Sequence, residues 1–534
     1  MVALLVFRWQ CDLVHTSALP TPSTLPAPRT PDVDVALRSR RSHWVTHVAR
    51  HAQQQPAAAA LRFCGRTTTW SELAGRSHAL ADALHRRGVR AGDRVALLMT
   101  NRPEYVEALL ATTALGAIAV PLNFRLTAPE LAFILADSGA RMLVVDPAMD
   151  TLVDPVLPRL LTGPDYEAAL REDGNPHPEI DVAEGSPALI MYTSGTTGSP
   201  KGAVLSHANL AQQSLTLIRG WQLFGDDTVN LCASPMFHIA AVGVVAPLLL
   251  IGGTTVIHPS GAFDPGTLLD TIEQERVTCV FLVPAQWQAV CAVPGIARRE
   301  LALRVMSWGA APATDSLLHR MSEVFPTVVN VAVFGQTEMS PVTCLLQGTD
   351  ALRKLGSVGR PVATVAARVV DATMQDVPPG EVGEIVYRGP TLMQGYWNNP
   401  EATAEGFAGG WFHSGDLVRV DPEGFVFVVD RVKDMIITGG ENVYCAEVEN
   451  VLAADPDVVE AAVIGRADPR WGEFPVAVLV AAQGAEPTLD SVTAWCRPRL
   501  AGYKLPREVV VLDALPRNAS GKVLKGTLRQ AHGR

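Results

Sequence analysis

The sequence predicts an α/β fold: a large N-terminal domain of parallel α/β sheets with a β-rich subdomain, then a small C-terminal α+β domain. Three observations predict it. From Thr69 onward, short apolar runs of strand length alternate with amphipathic helical segments. The same style recurs further on, each apolar strand leading into a loop of small or polar residues. Near Val426 to Lys433 the texture changes, and a compact mixture of helices and strands follows.

In order, Ser71 is placed to cap a helix carrying Leu73, Leu80 and Leu84 on one face. Val95 to Met99 reads as a buried strand, Pro103 opens a helix through Leu110, and Ala117 to Val120 is a short strand. Pro129 opens another helix before the strand Met142 to Val145. Val280 to Val283, Leu303 to Met306 and Val328 to Phe334 are further core strands. In such sheets ligands bind at the carboxyl ends of the strands, so the loops that follow are where chemistry is expected. Beyond Lys433 come a helix near Glu447, strands at Val459 to Ile464 and Pro475 to Val480, a helix at Leu489 to Trp495 and a strand at Val509 to Leu512. The expected division is a leader over 1–40, a main domain over 41–432 and a small domain over 433–534.

Composition fits several globular domains. The chain has 534 residues, of which 48% are hydrophobic and 18% charged, too many for one compact core. Its formal net charge of -10 and the absence of a basic stripe exclude nucleic acid as a partner. The eight cysteines are scattered without a CxxC pair, which fits a reducing cytoplasm rather than a disulfide or zinc framework. Val2 to Phe7 is brief for a signal-peptide core and lacks a preceding positive charge. Leu19 to Pro31, rich in Pro, Ser and Thr, reads as disordered, so 1–40 is either a floppy leader or the product of an early start codon. Ile239 to Ile257 has no charge, but Pro247 and Gly252-Gly253 interrupt it. It reads as a buried helix, a turn and a strand, not a membrane span.

The strongest local signal is Thr193-Ser194-Gly195-Thr196-Thr197-Gly198-Ser199-Pro200-Lys201-Gly202, which follows the apolar strand Ala188 to Tyr192. Glycines let backbone approach a ligand; exposed amides, hydroxyls and Lys201 make a cradle for phosphate oxygens. The spacing from Gly195 to Lys201 is not that of a Walker loop.

This loop resembles the phosphate-binding signature of the adenylate-forming superfamily, which includes acyl-CoA synthetases, luciferases and peptide-synthetase adenylation domains. The resemblance continues in order from about Thr69 to Lys525 and is strongest to bacterial fatty-acid–CoA ligases of mycobacterial type. Phe334-Gly335-Gln336-Thr337-Glu338 is similar to the aromatic-Gly-x-Thr-Glu motif. By that likeness Phe334 stacks on adenine, Gly335 and Thr337 line the nucleotide and Glu338 holds Mg2+. Phe334 stands where Tyr is usual. Gly309, Ala310 and Ala311 match the loop flanking the adenine. Asp416 matches the ribose-gripping carboxylate, and Arg431 the second ribose and phosphate contact. Lys433, in Asp430-Arg431-Val432-Lys433-Asp434, matches the hinge about which the mobile small domain turns. Gly439 and Gly440 match the loop that admits the pantetheine of coenzyme A. Trp471 is similar to a tryptophan that packs on the adenine of coenzyme A, with a plain core or surface role equally open. Lys522, in Leu515-Pro516-Arg517-Asn518-Ala519-Ser520-Gly521-Lys522, matches the catalytic lysine of adenylation. His238 stands beside the implied carboxylate pocket, in a gating, packing or chemical role. Ala240 and Gly243 either open a tunnel for an acyl chain or allow tight helix packing.

The resemblance implies ATP, Mg2+ and coenzyme A, with a medium- or long-chain fatty acid as substrate. It leaves two rivals: loading of a carrier protein instead of coenzyme A, and a non-catalytic nucleotide-binding scaffold. The chain ends soon after Lys522 without a carrier domain, which favours coenzyme A. Retention of Lys201, Glu338 and Lys522 argues against the scaffold. Peripheral membrane contact and a homodimer are both compatible with the sequence.

Overall fold

The computed structural model describes residues 41–533 except 179, 194–199, 226 and 518–522. The expected leader over 1–40, the loop residues Ser194, Gly195, Thr196, Thr197 and Gly198, and Lys522 lie outside the described residues.

The fold is mixed α/β, with a large N-terminal and a small C-terminal domain. Among the described residues the N-terminal part is built on a 7-stranded and a 13-stranded sheet. In the smaller sheet, Ile118–Pro121, Arg94–Leu98, Met142–Val145 and Arg159–Leu161 run parallel. Each of the first three is fully buried or nearly so, which explains their uninterrupted apolar character. Pro187–Thr193 adds in parallel at Ala119↔Leu189. Lys201–Ser206 then returns antiparallel, and Gly395–Tyr396 forms the edge.

In the larger sheet, Val229–Cys232, Cys279–Leu282, Val305–Gly309 and Val329–Gly335 are parallel, with registers such as Cys279↔Val305 and Gly309↔Val333. Val342–Gln347 turns back antiparallel. Beyond it lies the β-rich part, containing Ser357–Pro361, Val426–Arg431, Phe412–Val420, Val382–Arg388 and Ala366–Val370. The expected alternation of strand and helix therefore holds, but both sheets turn antiparallel at the motif-bearing segments.

The first helix, Trp70–Arg86, is capped by Thr69 rather than Ser71. Thr69 Oγ1 accepts from the Glu72 amide at 3.2 Å, and the Glu72 carboxylate accepts from the Thr69 amide at 2.8 Å. This reciprocal pair satisfies two terminal donors, where Ser71 would have satisfied one. The charge-free segment is the predicted helix Ile239–Ile251, ended by Gly252 at φ 83° and followed by the strand Thr254–Ile257. Nearly every residue of this helix is buried against protein. No helix among the described residues is long and apolar enough to cross a membrane.

Among the described residues the C-terminal sheet has 5 strands. Val458–Asp468 and Gly472–Ala481 form its hairpin, and Glu508–Val511 adds in parallel. Cys445–Ala453 and Leu489–Cys496 pack on one face, contributing Val448, Leu452 and Val492 to a buried cluster with Val463 and Leu479.

Candidate adenylation site

Strand pairing brings the site together. Thr193 and Lys201, which flank the Ser- and Gly-rich loop in sequence, are register partners at the end of an antiparallel pair. Tyr396 lies opposite Ala203 on the next strand. Lys201 is two residues from Ala203 and therefore on the same face, within diagonal reach of Tyr396. Lys201 Nζ lies 5.3 Å from the centre of the Tyr396 ring. The Tyr396 hydroxyl donates to Glu338 Oε1 at 3.0 Å. Burial pushes the Glu338 carboxyl above its ordinary range, opposed by its own backbone amide, the Tyr396 hydroxyl and the Arg431 charge. Burial likewise raises the Tyr396 phenol, so it stays a donor. Tyr396 was not singled out from sequence; its place depends on an edge strand two residues long.

Glu338 sits on the single turn Thr337–Met339 after the strand Val329–Gly335. Gly335 is required there by close approach: a Cβ would lie 2.0 Å from the Pro341 carbonyl oxygen. Phe334 is half-buried. Gly309, Ala310 and Ala311 leave the neighbouring strand end, and Gly309 pairs with Val333. Ala310 takes φ 65° and, with Ala311, is exposed. These segments form one rim at the carboxyl ends of parallel strands, as expected.

Asp416 and Arg431 face each other in register on antiparallel strands. Arg431 Nε meets Asp416 Oδ1 at 2.5 Å, with the Asp416 side chain 5% exposed. Both charges act on the Glu338 carboxyl, Arg431 lowering and Asp416 raising its pKa. The buried Glu338 carboxylate, bonded to the Tyr396 hydroxyl, fits a magnesium ion, which is commonly held by one or two carboxylates plus substrate phosphates.

Lys433 is exposed, two residues past the end of the strand Val426–Arg431. The segment around it is tied to the small domain: Asp434 pairs with Arg529 at 2.6 Å, and the Cys445 amide donates to Asp430. Gly439 takes φ 59°, and a Cβ there would meet Trp471 Cε3 at 2.9 Å. The Gly439 amide donates to the Trp471 carbonyl at 2.7 Å. Gly440 at φ 87° faces open space. Trp471 is 38% exposed, with the guanidinium carbons of Arg470 and Arg507 at 4.9 and 5.1 Å from its ring. The structure therefore joins Gly439 to Trp471, and Trp471 is not a core residue. Arg507 was missed because strand pairing alone brings it near.

His238 caps the apolar helix, its Nδ1 accepting from the Ala240 amide at 3.2 Å. Burial lowers its imidazole pKa, which keeps it the neutral acceptor this cap needs. Ala240 is half-buried beside it. At Gly243 a Cβ would meet Leu217 Cδ1 at 3.3 Å and the Pro341 ring at 3.6 Å. Gly243 is therefore closely packed against Leu217 and Pro341.

These features define an adenylate-forming enzyme. Residues 48–397 match the AMP-binding enzyme family, and residues 447–522 match the AMP-binding enzyme C-terminal domain. The chain belongs to this family, in its acyl-CoA synthetase branch. It is 46% identical over 487 residues to a feruloyl-CoA synthase of an Amycolatopsis species, covering 91% of this chain and 98% of the relative. It is 40% identical over 504 residues to an indoleacetate–CoA ligase of Aromatoleum aromaticum, covering 92% and 97%. The long-chain-fatty-acid–CoA ligase FadD13 of Mycobacterium tuberculosis is 37% identical over 476 residues, covering 87% and 93%. Among solved structures, o-succinylbenzoate CoA synthetase of Bacillus subtilis with its acyl-adenylate superposes with a TM-score of 0.83 at 33% identity, covering 92% and 98%. The same enzyme has been solved with ATP and a magnesium ion.

Proposed function

We propose that this protein uses ATP to activate an aromatic carboxylic acid as its acyl-adenylate and then transfers the acyl group to coenzyme A. The observation that carries the first half is the convergence of Lys201, Tyr396, Glu338 and the Asp416–Arg431 pair from four distant segments. In that step a carboxylate oxygen bonds to the α-phosphorus of ATP, and the bond from that phosphorus to the bridging oxygen of pyrophosphate breaks. Negative charge grows on the phosphate oxygens. Lys201, the loop amides and hydroxyls, and Lys522 are assigned to stabilise it, each well-placed donor contributing about 3 to 4 kcal/mol. Magnesium bound with ATP supplies positive charge to the phosphates, and Glu338 is the residue assigned to hold it. Asp416 and Arg431 are assigned to the ribose.

In the second step the thiol sulfur of coenzyme A bonds to the acyl carbon, AMP departs and the thiol proton passes to solvent. The small domain, taken as 433–534, turns about Lys433 between the two steps. That turn exchanges Lys522 for Gly439 and Gly440, and Trp471 receives the adenine of coenzyme A.

Aromatic acids are favoured by the feruloyl and indoleacetate ligases named above. A fatty acid is the second reading. It is supported by the mycobacterial relative and by a wholly apolar cavity lined by Trp44, Leu109, Leu110, Met236, Val245 and Leu249.

Acid-dependent exchange of labelled pyrophosphate into ATP tests the reading, across aryl acids and alkanoates of rising length. Lys522→Ala is expected to abolish exchange yet convert synthetic acyl-adenylate plus coenzyme A to thioester. Equal loss of both steps would show the division of roles to be wrong.

A further inference from the structure

A cluster of metal-ligating side chains lies outside the adenylation site and shares no residue with it. His78 and Asp82 stand four residues apart on the helix Trp70–Arg86, so one helical turn sets them side by side. His177 is 95 residues from Asp82 in sequence. It belongs to the stretch 172–178, which is neither helix nor strand. Pro176 and Pro178 flank it. Each proline fixes its own φ, and Pro178 disfavours a helical turn at His177, so the backbone that presents this ring is stiff.

The three side chains already converge. The His177 amide donates to Asp82 Oδ1 at 2.7 Å, and His177 Nδ1 donates to the same oxygen, also at 2.7 Å. His78 Nε2 lies 3.9 Å from Asp82 Oδ2. The two imidazole rings are 4.6 Å apart between centres and tilted by 52°. One ligand atom from each of the three residues falls within 4.8 Å of the other two. The Asp82 and His177 side chains are sheltered, at 18% and 8% exposure, whereas His78 is 62% exposed. Metal bonds of about 2.0 to 2.2 Å put tetrahedral ligand atoms about 3.4 Å apart. The 2.7 Å pair therefore opens slightly and the 3.9 Å pair closes slightly, the latter by rotation of the exposed His78 ring.

We propose that His78 Nε2, His177 Nδ1 and the Asp82 carboxylate bind a Zn2+ ion, with water in the fourth place, and that the ion clips the stretch 172–178 to the helix Trp70–Arg86. His177 Nδ1 turns its lone pair on the ion and carries its ring hydrogen on Nε2, while the His177 amide keeps its bond to Asp82 Oδ1. The donor set decides the class of ion. Mg2+ takes oxygen ligands and sheds water reluctantly, so two imidazoles do not suit it. Zn2+ favours nitrogen donors, stands high in the affinity order of divalent ions and imposes no d-electron geometry, so it accepts an irregular set. His85, one turn further along the helix, does not complete the set, because its Nδ1 accepts from Arg90 Nη1 at 3.3 Å. The clipped stretch precedes the strand Pro187–Thr193, which delivers Thr193 to the adenylation site.

Titration calorimetry of the tag-free, chelator-treated full chain with ZnCl2, without nucleotide, tests the site. One equivalent of Zn2+ is expected to bind with micromolar or tighter Kd and to resist displacement by millimolar Mg2+. His78→Ala removes an exposed ring and is expected to weaken that equivalent at least tenfold. His177→Gln keeps an amide donor towards Asp82, so the stretch stays in place, and is expected to weaken binding as much. Trypsin reads the clip separately, because Arg171 borders the stretch and its side chain is 77% exposed. Zn2+ at ten times its Kd is expected to slow cleavage after Arg171 about tenfold in the wild type and not in His78→Ala. No Zn2+ equivalent, an affinity unchanged in His78→Ala, or displacement by Mg2+ overturns the site. Tight binding with an unchanged cleavage rate overturns the clip.

Discussion

The Tyr396 hydroxyl donates to Glu338 Oε1 at 3.0 Å while Lys201 Nζ sits 5.3 Å from the centre of the same ring, so one tyrosine links the two charges assigned to the triphosphate. The ring attracts the ammonium through its face, and the hydroxyl steadies the carboxylate. Tyr396→Phe keeps the first contact and removes the second. A hydrogen bond to a charged group is worth about 1.5 to 3 kcal/mol, so pyrophosphate exchange at pH 7 is expected to fall roughly tenfold or more. Burial already raises the Glu338 carboxyl, and Tyr396 opposes that rise. Without the donor the carboxyl rises further, and the acid limb of the exchange profile moves to higher pH. An unchanged acid limb would show that Glu338 does not limit the reaction there.

The sequence made the site legible where chemistry lies in a contiguous run. Thr193 to Gly202, Phe334 to Glu338 and Asp416 declare themselves by residue type and order. The parallel strands were legible because burial on both faces leaves unbroken apolar runs, and Met142–Val145 was placed to the residue. What escaped depends on pairing between distant segments. Tyr396 reaches Lys201 only through an edge strand, and Arg507 reaches Trp471 only through the small sheet. Ser71 and Thr69 are equally good caps on paper; Glu72 decides between them by bonding back to the Thr69 amide.

Asp416→Asn leaves Arg431 without its charged partner on the facing strand. Arg431 is 32% exposed, so water recovers part of the loss and the cost to stability is about 1 kcal/mol. The cost to function is larger. A carboxylate accepts both hydroxyls of a ribose, whereas an amide oxygen competes with its own donors. The KM for ATP is expected to rise about tenfold, with a smaller change in KM for the acid, measured by exchange at varied ATP. Equal changes in both constants would place Asp416 outside the ribose contact.

Trp471 is held against Gly439 by a backbone hydrogen bond and by a contact too close for any Cβ, while Arg470 and Arg507 flank its exposed ring. A flat surface between two cations suits a base that carries phosphates. Trp471→Ala is expected to raise the KM for coenzyme A about tenfold, the usual scale of one stacking contact, and to change pyrophosphate exchange less than twofold. A comparable fall in exchange would mean that Trp471 supports the fold rather than the thioester step.

Stability at low pH tests the packing behind the site. His207 opens the helix His207–Gly220, and its ring stacks on His43 at 4.3 Å with Nε2 buried and unpartnered. Burial, reinforced by His43, lowers its pKa from 6.5 to about 3. Above pH 6.5 both folded and unfolded chains hold this ring neutral, and it contributes no slope. Between pH 6.5 and about 3 the unfolded chain takes up a proton that the native chain refuses, so stability falls as pH falls, by about 1.4 kcal/mol per unit from this group. His207→Phe keeps the stack and removes the titration. Urea midpoints measured from pH 7 to 5 are therefore expected to decline less steeply in the variant, since the carboxylates contribute equally to both proteins. Parallel declines would mean that the native ring accepts its proton readily and is not sealed from water.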